Sequence, residues 1–147
     1  MTNAVKRQMA DLAKAPSEHY MARPTNDSNV LKWDGHICGA VGTPYEGGTF
    51  KFDMDFPADF PIRAPKVTFK TKIYHPGFLP DGDMCLELLK KEWTPKTKIK
   101  DILDALYSLI ASPSPDMTLN SAVSDQLKNT PAEFEKTARE WTKQFAQ

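Results

Sequence analysis

One cysteine, Cys85, stands in Gly82-Asp83-Met84-Cys85-Leu86-Glu87, eight residues beyond the end of Tyr74-His75-Pro76-Gly77. The intervening turn formers, Pro80, Asp81 and Gly82, place it on a loop, where a thiol is reachable as a nucleophile. An arbitrary cysteine is more often a small apolar residue at the edge of a core, so the chemistry must be argued from its setting. A cysteine hydrolase needs a histidine base oriented by a third group. The chain offers only His19, His36 and His75, and His75, fixed beside Pro76, reads as a brace for the loop. Asp83 and Glu87 flank Cys85 with negative charge, a setting that does not assist a hydrolytic nucleophile. A hydrolase reading therefore finds little support in these residues.

The surrounding motifs sharpen this. Tyr74-His75-Pro76, Cys85-Leu86 and Trp93-Thr94-Pro95 at this spacing resemble the ubiquitin-conjugating enzymes, the E2 carriers of ubiquitin or a ubiquitin-like protein. Pro44-Tyr45-Glu46-Gly47-Gly48-Thr49-Phe50 is similar to that family's Pro-Tyr-x-Gly-Gly-x-Phe turn. Phe56-Pro57, Phe60-Pro61 and Ala64-Pro65-Lys66-Val67 resemble its proline-punctuated segment, and Ala138-Arg139-Glu140-Trp141-Thr142 its last helix. The resemblance spans essentially the whole chain. One departure stands out: the family's His-Pro-Asn is here His75-Pro76-Gly77.

The resemblance implies that Cys85 receives the modifier from an E1 as a thioester and passes it to a substrate lysine or an E3 cysteine. ATP is consumed by the E1, so no cofactor and no metal are expected on this chain. In the family the asparagine at the position of Gly77 donates to the oxyanion when lysine attacks. Loss of one such donor costs roughly 10²–10³ in rate in other acyl-transfer enzymes. The family also places an acidic residue after the central helix to orient or deprotonate the incoming lysine. Met117 stands there by ungapped alignment from Cys85, with Asp116 adjacent, and Glu87 replaces a frequent aspartate. The expected catalytic set is therefore Cys85, His75, Gly77, Glu87, Asp116 and Met117, with lysine transfer impaired. The alternative is an E2-variant scaffold, catalytically weak or inactive, that binds ubiquitin or an E3. E3 contacts are implied at Pro61, Ile62, Trp93, Pro95 and Lys96, with Ile62 in place of a common phenylalanine. E1 contacts are implied at Lys6 and Arg7, and Met21 takes the place of a serine on the opposite, backside surface.

At 147 residues the chain reads as one domain, 1–147, able to bury roughly 68–70% of its unfolded surface. Acidic and basic residues balance at 19 each, which gives no footprint for nucleic-acid or membrane binding. No apolar run has membrane-spanning length, and the start, Met1 to Arg7, lacks the apolar core of a signal peptide. Two isolated cysteines, with Cys38 read as a core residue, fit a reducing cytoplasmic or nuclear location. A monomer is expected.

The elements that must position Cys85 follow from periodicity. Val5, Met9 and Leu12 lie at helical spacing ahead of Pro16. Val30 to Val41 reads as two strands turned at Asp34-Gly35, with Trp33, Ile37 and Val41 on one face. Phe50, Phe52, Met54 and Phe56 alternate with charged residues as a half-buried strand, after a connection at Pro44 to Gly48. Prolines 57, 61 and 65 imply an extended connection, and Val67 and Phe69 a short fourth strand. Residues 71–96 show no period, yet their aromatic content argues for packing. Ile99, Ile102, Leu103, Leu106, Leu109 and Ile110 form the stripe of a central helix ended by Pro113 and Pro115. A shorter helix is expected within Ser121 to Asn129. A final helix is expected with Thr130 as N-cap, Pro131 first and Glu133 closing a capping box, burying Phe134, Ala138, Trp141 and Phe145. The fold class expected is α+β: an N-terminal helix, a four-stranded antiparallel meander and C-terminal helices, which by resemblance is the UBC fold.

Overall fold

The computed structural model describes residues 2–26 and 28–147. Helix α1 (Thr2–Lys14) precedes strands β1 (Tyr20–Asn26), β2 (Asn29–Cys38), β3 (Thr49–Asp55) and β4 (Lys66–Phe69), and helices α2 (Ile99–Ala111), α3 (Ser121–Asn129) and α4 (Pro131–Phe145) follow. The strands form one antiparallel sheet in the order β1-β2-β3-β4. Alternation explains why one face is covered. Trp33 and Ile37 of β2, Phe50, Phe52 and Met54 of β3, and Val67 and Phe69 of β4 are all buried. The stripe Ile99, Ile102, Leu103, Leu106 and Ile110 of α2 shares their core. On α1, Val5 is buried and Met9 and Leu12 pack against the same core.

Two expectations about the sheet are corrected. Asp34-Gly35 is not a turn: β2 runs through it, paired to Ala22 and Arg23 of β1 and to Phe52 and Asp53 of β3. Gly35 is there because a Cβ would lie 2.2 Å from the Met21 carbonyl oxygen and 2.9 Å from the Phe52 ring. The first strand is instead Tyr20–Asn26, and its link to β2 is organised by the Asn26 side chain, which accepts from the N–H groups of Ser28 and Asn29. Val41, 87% exposed, lies beyond the sheet, and the β2–β3 connection is the longer stretch 39–48.

Three smaller corrections concern the ends and edges. The proline-rich segment 57–65 is a run of turns, with Phe60 N–H donating to the Pro57 carbonyl and Ile62 N–H to that of Asp59. At α4 no capping box forms, because the Thr130 hydroxyl donates to the Gln126 carbonyl instead. The buried face of that helix is Phe134, Ala138 and Thr142, whereas Phe145 is partly exposed beneath the Lys72 ammonium. Cys38, the last residue of β2, is half-buried and not a core residue. The central helix ends at Ala111 and α3 spans Ser121–Asn129, both as periodicity and prolines implied.

Candidate active site

The segment between β4 and α2 is aperiodic but firmly packed. Phe78 and Met84 form a short antiparallel bridge, and Phe78, Met84 and Leu86 are buried. With Met84 and Leu86 turned inward, the intervening Cys85 faces outward and is half-exposed, a free thiol. Gly82 makes the turn possible: its φ is 93°, and a Cβ there would stand 2.4 Å from the Phe69 carbonyl oxygen. Cys85 N–H donates to the Gly77 carbonyl at 2.9 Å, which ties the thiol-bearing strand to the His-Pro-Gly turn.

His75 is fully buried and holds that turn from within. Its Nε2–H donates to the Leu109 carbonyl at 2.7 Å, and its Nδ1 accepts from Gly77 N–H at 2.9 Å. Burial pulls its pKa from 6.5 down to about 4, so the ring is neutral, with both nitrogens engaged. It is a brace and cannot serve Cys85 as a base. The same bond occupies the Gly77 N–H. Tyr45, also buried, donates its hydroxyl to the Tyr74 carbonyl at 2.6 Å and its phenol pKa is driven upward by burial. His19 is stacked on Tyr107 ahead of β1, and His36 lies within β2, so neither belongs to this loop.

Helix α3 closes the site from the other side. Asn120 N–H donates to the Pro76 carbonyl at 3.0 Å and its side-chain amide to the Phe78 carbonyl at 3.2 Å. Its side-chain oxygen caps α3 at Val123 N–H. Asn120 thus connects the two halves of the loop to a helix, a role that the sequence reading missed. Its position just ahead of α3 was the available signal.

The structure brings Met117 onto the His-Pro-Gly turn: its Sδ stands 3.2 Å from the point where a Cβ on Gly77 would be. Asp116, next to it, is exposed, with its N–H donating to the Ser114 hydroxyl. Glu87 is exposed at the start of a single 3₁₀ turn, Glu87–Leu89, directly after the cysteine segment.

A second cluster lies on the loops before β4 and before α2. Trp93 Nε1–H donates to the Pro61 carbonyl at 3.0 Å, and its ring lies 6.0 Å from that of Phe60. Pro95 and Lys96 are exposed. Ile62 is 61% exposed and free of the core. On α1, Lys6 and Arg7 are exposed, while the neighbouring Gln8 side chain accepts from Ile99 N–H at 2.6 Å and so joins α1 to the start of α2. Met21 is partly exposed at the β1 edge.

A helix, a four-stranded meander and trailing helices around a cysteine loop braced by a buried histidine define a class, and comparison with known proteins agrees. The family model for ubiquitin-conjugating enzyme matches residues 4–142, and the chain belongs to that family. It is 38% identical over 143 residues to ubiquitin conjugating enzyme E2 B of Dictyostelium discoideum, covering 97% of this chain and 95% of that one. Among solved structures, the E2 domain of a Toxoplasma gondii ubiquitin conjugating enzyme superposes with a TM-score of 0.89 at 33% identity, covering 97% of each chain. The fold is the UBC fold, and the family is one of transferases.

Proposed function

We propose that this E2 carries ubiquitin or a ubiquitin-like protein on Cys85 and passes it to an E3 cysteine more readily than to a substrate lysine. In loading, the Cys85 sulfur attacks the carbonyl of the E1-bound thioester. A new carbon–sulfur bond forms, the old one breaks, and the E1 thiolate leaves. ATP is spent earlier, by the E1, and this chain needs no cofactor of its own.

The observation that carries the reading is the placement of Cys85: a half-exposed thiol on a loop whose backbone is pinned at Gly77, Pro76 and Phe78. The preference for cysteine acceptors rests on Gly77 and Met117, neither of which can donate to an oxyanion or receive a lysine proton through its side chain. Exposed Ile62 beside Trp93 forms an apolar anchor for an E3, and Lys6 and Arg7 a basic face for the E1.

Incubation with E1, ATP and ubiquitin, followed by non-reducing electrophoresis, tests the carrier role. A thiol-sensitive adduct is expected, lost in Cys85→Ala and retained in Cys38→Ala. A normal adduct on Cys85→Ala would overturn the assignment. No adduct on the unmodified protein would favour the scaffold alternative.

A further inference from the structure

Strand β4 lies at the edge of the sheet, and its free side is only half covered. Lys70 N–H donates to the Lys51 carbonyl, so the alternation of an antiparallel ladder turns the main-chain groups of Lys66 and Thr68 toward β3 as well. Val67 and Phe69 turn theirs outward. Phe69 N–H is taken by the Gly82 carbonyl at 3.0 Å. No hydrogen bond among the described residues reaches the outward N–H and C=O of Val67. Val67 is only 7% exposed, and a main-chain pair so nearly buried calls for a partner.

Val67 borders a groove of about 250 Å³ between β4 and the segment that carries the thiol. Its apolar lining is Val67, Met84, Leu86 and Leu89, and the exposed Lys66 and Lys90 stand on its rim. Neither lysine has an ion pair among the described residues. Asp83, the one acidic residue of the lining, is exposed and accepts from Met84 N–H through its carboxylate. Met84 and Leu86 flank Cys85 in the chain, so this wall passes within one Cα step, about 3.8 Å, of the cysteine.

An added strand answers all of these features. Main-chain pairing satisfies Val67, while the side chains of an extended segment alternate, one set over the apolar lining and the other beside Lys66. The charges choose among strands. A second copy of this edge would bring Lys66 and Lys70 against their own kind, whereas acidic side chains in the outward positions are attracted. The opposite edge strand, β1, is blunted by Pro24. We propose that the free edge of β4 docks an extended segment of a partner protein in which apolar and acidic residues alternate. The docked segment lies along the wall that bears Cys85. The docking site stands whether or not Cys85 is the acyl carrier.

The test titrates the full chain with a blocked synthetic peptide, acetyl-Thr-Val-Glu-Val-Glu-Val-Thr-amide, and follows amide signals and hydrogen exchange by NMR. Shift changes are expected at residues 64–67 and 83–90, and Val67 N–H, unprotected in the free protein, should exchange about tenfold more slowly at saturation. Methylating the nitrogen of the central valine removes a donor to the Val67 carbonyl and should weaken binding about tenfold. Lys66→Glu should weaken binding roughly fivefold and favour a peptide with lysine in place of both glutamates, a swap that a merely structural effect would not produce. Thermal melts of Lys66→Glu, altered at an exposed position, confirm that it folds. Binding indifferent to the N-methyl group, or shift changes that miss Val67, would overturn the proposal. So would a Val67 amide already protected in the free protein, self-association through this edge in place of peptide binding, or no binding at millimolar peptide.

Discussion

The Met117 sulfur and Gly77 are packed as one unit: a Cβ added at Gly77 would meet that sulfur at 3.2 Å and the His75 ring at 3.3 Å. These two positions therefore form one packing arrangement. The His75 ring is pinned by two hydrogen bonds and cannot retreat, whereas methionine is unbranched and can. Gly77→Asn alone must push Met117 aside, at a cost of about 1 kcal/mol, the low end for overpacking. Its gain in lysine discharge should be small. Gly77→Asn combined with Met117→Asp should exceed the product of the single changes, bounded by roughly 10²–10³, with cysteine discharge little altered. Single-turnover discharge to each nucleophile, with melting curves, checks this. Fast, equal discharge to lysine by the unmodified protein would refute it.

His75 makes stability depend on pH in a definite direction. Its folded pKa of about 4 lies below the ordinary 6.5, so the unfolded chain binds the extra proton first. Stability is fully present above pH 6.5 and declines as pH falls toward 4, by about 3 kcal/mol in all. Urea unfolding at pH 7 and pH 4.5 should show the loss. Ring signals of His75 should stay flat from pH 8 to 5.5, and titration near 6.5 would contradict its burial.

What the sequence made legible follows its physics. The apolar stripe of α2 and its terminating prolines located that helix, and the turn formers Pro80, Asp81 and Gly82 placed Cys85 on a loop. Strand β1 was opaque because Tyr20-Met21-Ala22-Arg23-Pro24 lacks clean alternation and carries a proline tolerated only at an edge. Asp34-Gly35 imitated a turn, because glycine chosen for close approach of a neighbouring strand looks the same in sequence as glycine chosen for a bend. Thr130 is the N-cap of α4 with Pro131 first, as read, but its hydroxyl donates to the Gln126 carbonyl and so closes no capping box. The contact of Gly77 with Met117 joins residues forty positions apart and follows from no local pattern.

Ile62 and Trp93 should separate binding from folding. Ile62 is mostly exposed, so Ile62→Ala should leave the melting temperature within error while weakening E3 binding by at least about 1 kcal/mol. Trp93→Ala also removes the bond to the Pro61 carbonyl and the contact with Phe60, and should lower both. E1 loading should survive in each. Titration of an E3 domain beside thermal melts provides the measurement. Loss of loading in Ile62→Ala would show that the two partners share that surface.

Asn120 is expected to matter for the loop more than for the thiol itself. Asn120→Ala removes both the cap on α3 and the amide bond to the Phe78 carbonyl, while its main-chain bond to Pro76 persists. The cap alone is worth roughly 1 kcal/mol, and leaving the Phe78 carbonyl short of a donor adds about as much again. Stability should fall by about 2 kcal/mol, and amide exchange at Gly77, Phe78 and Cys85 should quicken beyond what that global loss explains. Asn120→Asp should restore the cap, since its carboxylate still accepts from Val123 N–H, but not the donor to Phe78. Exchange at the loop amides should thus remain fast in Asn120→Asp while stability partly recovers. If the aspartate variant slows both equally, Asn120 acts through the helix alone and its tie to the cysteine loop carries no weight.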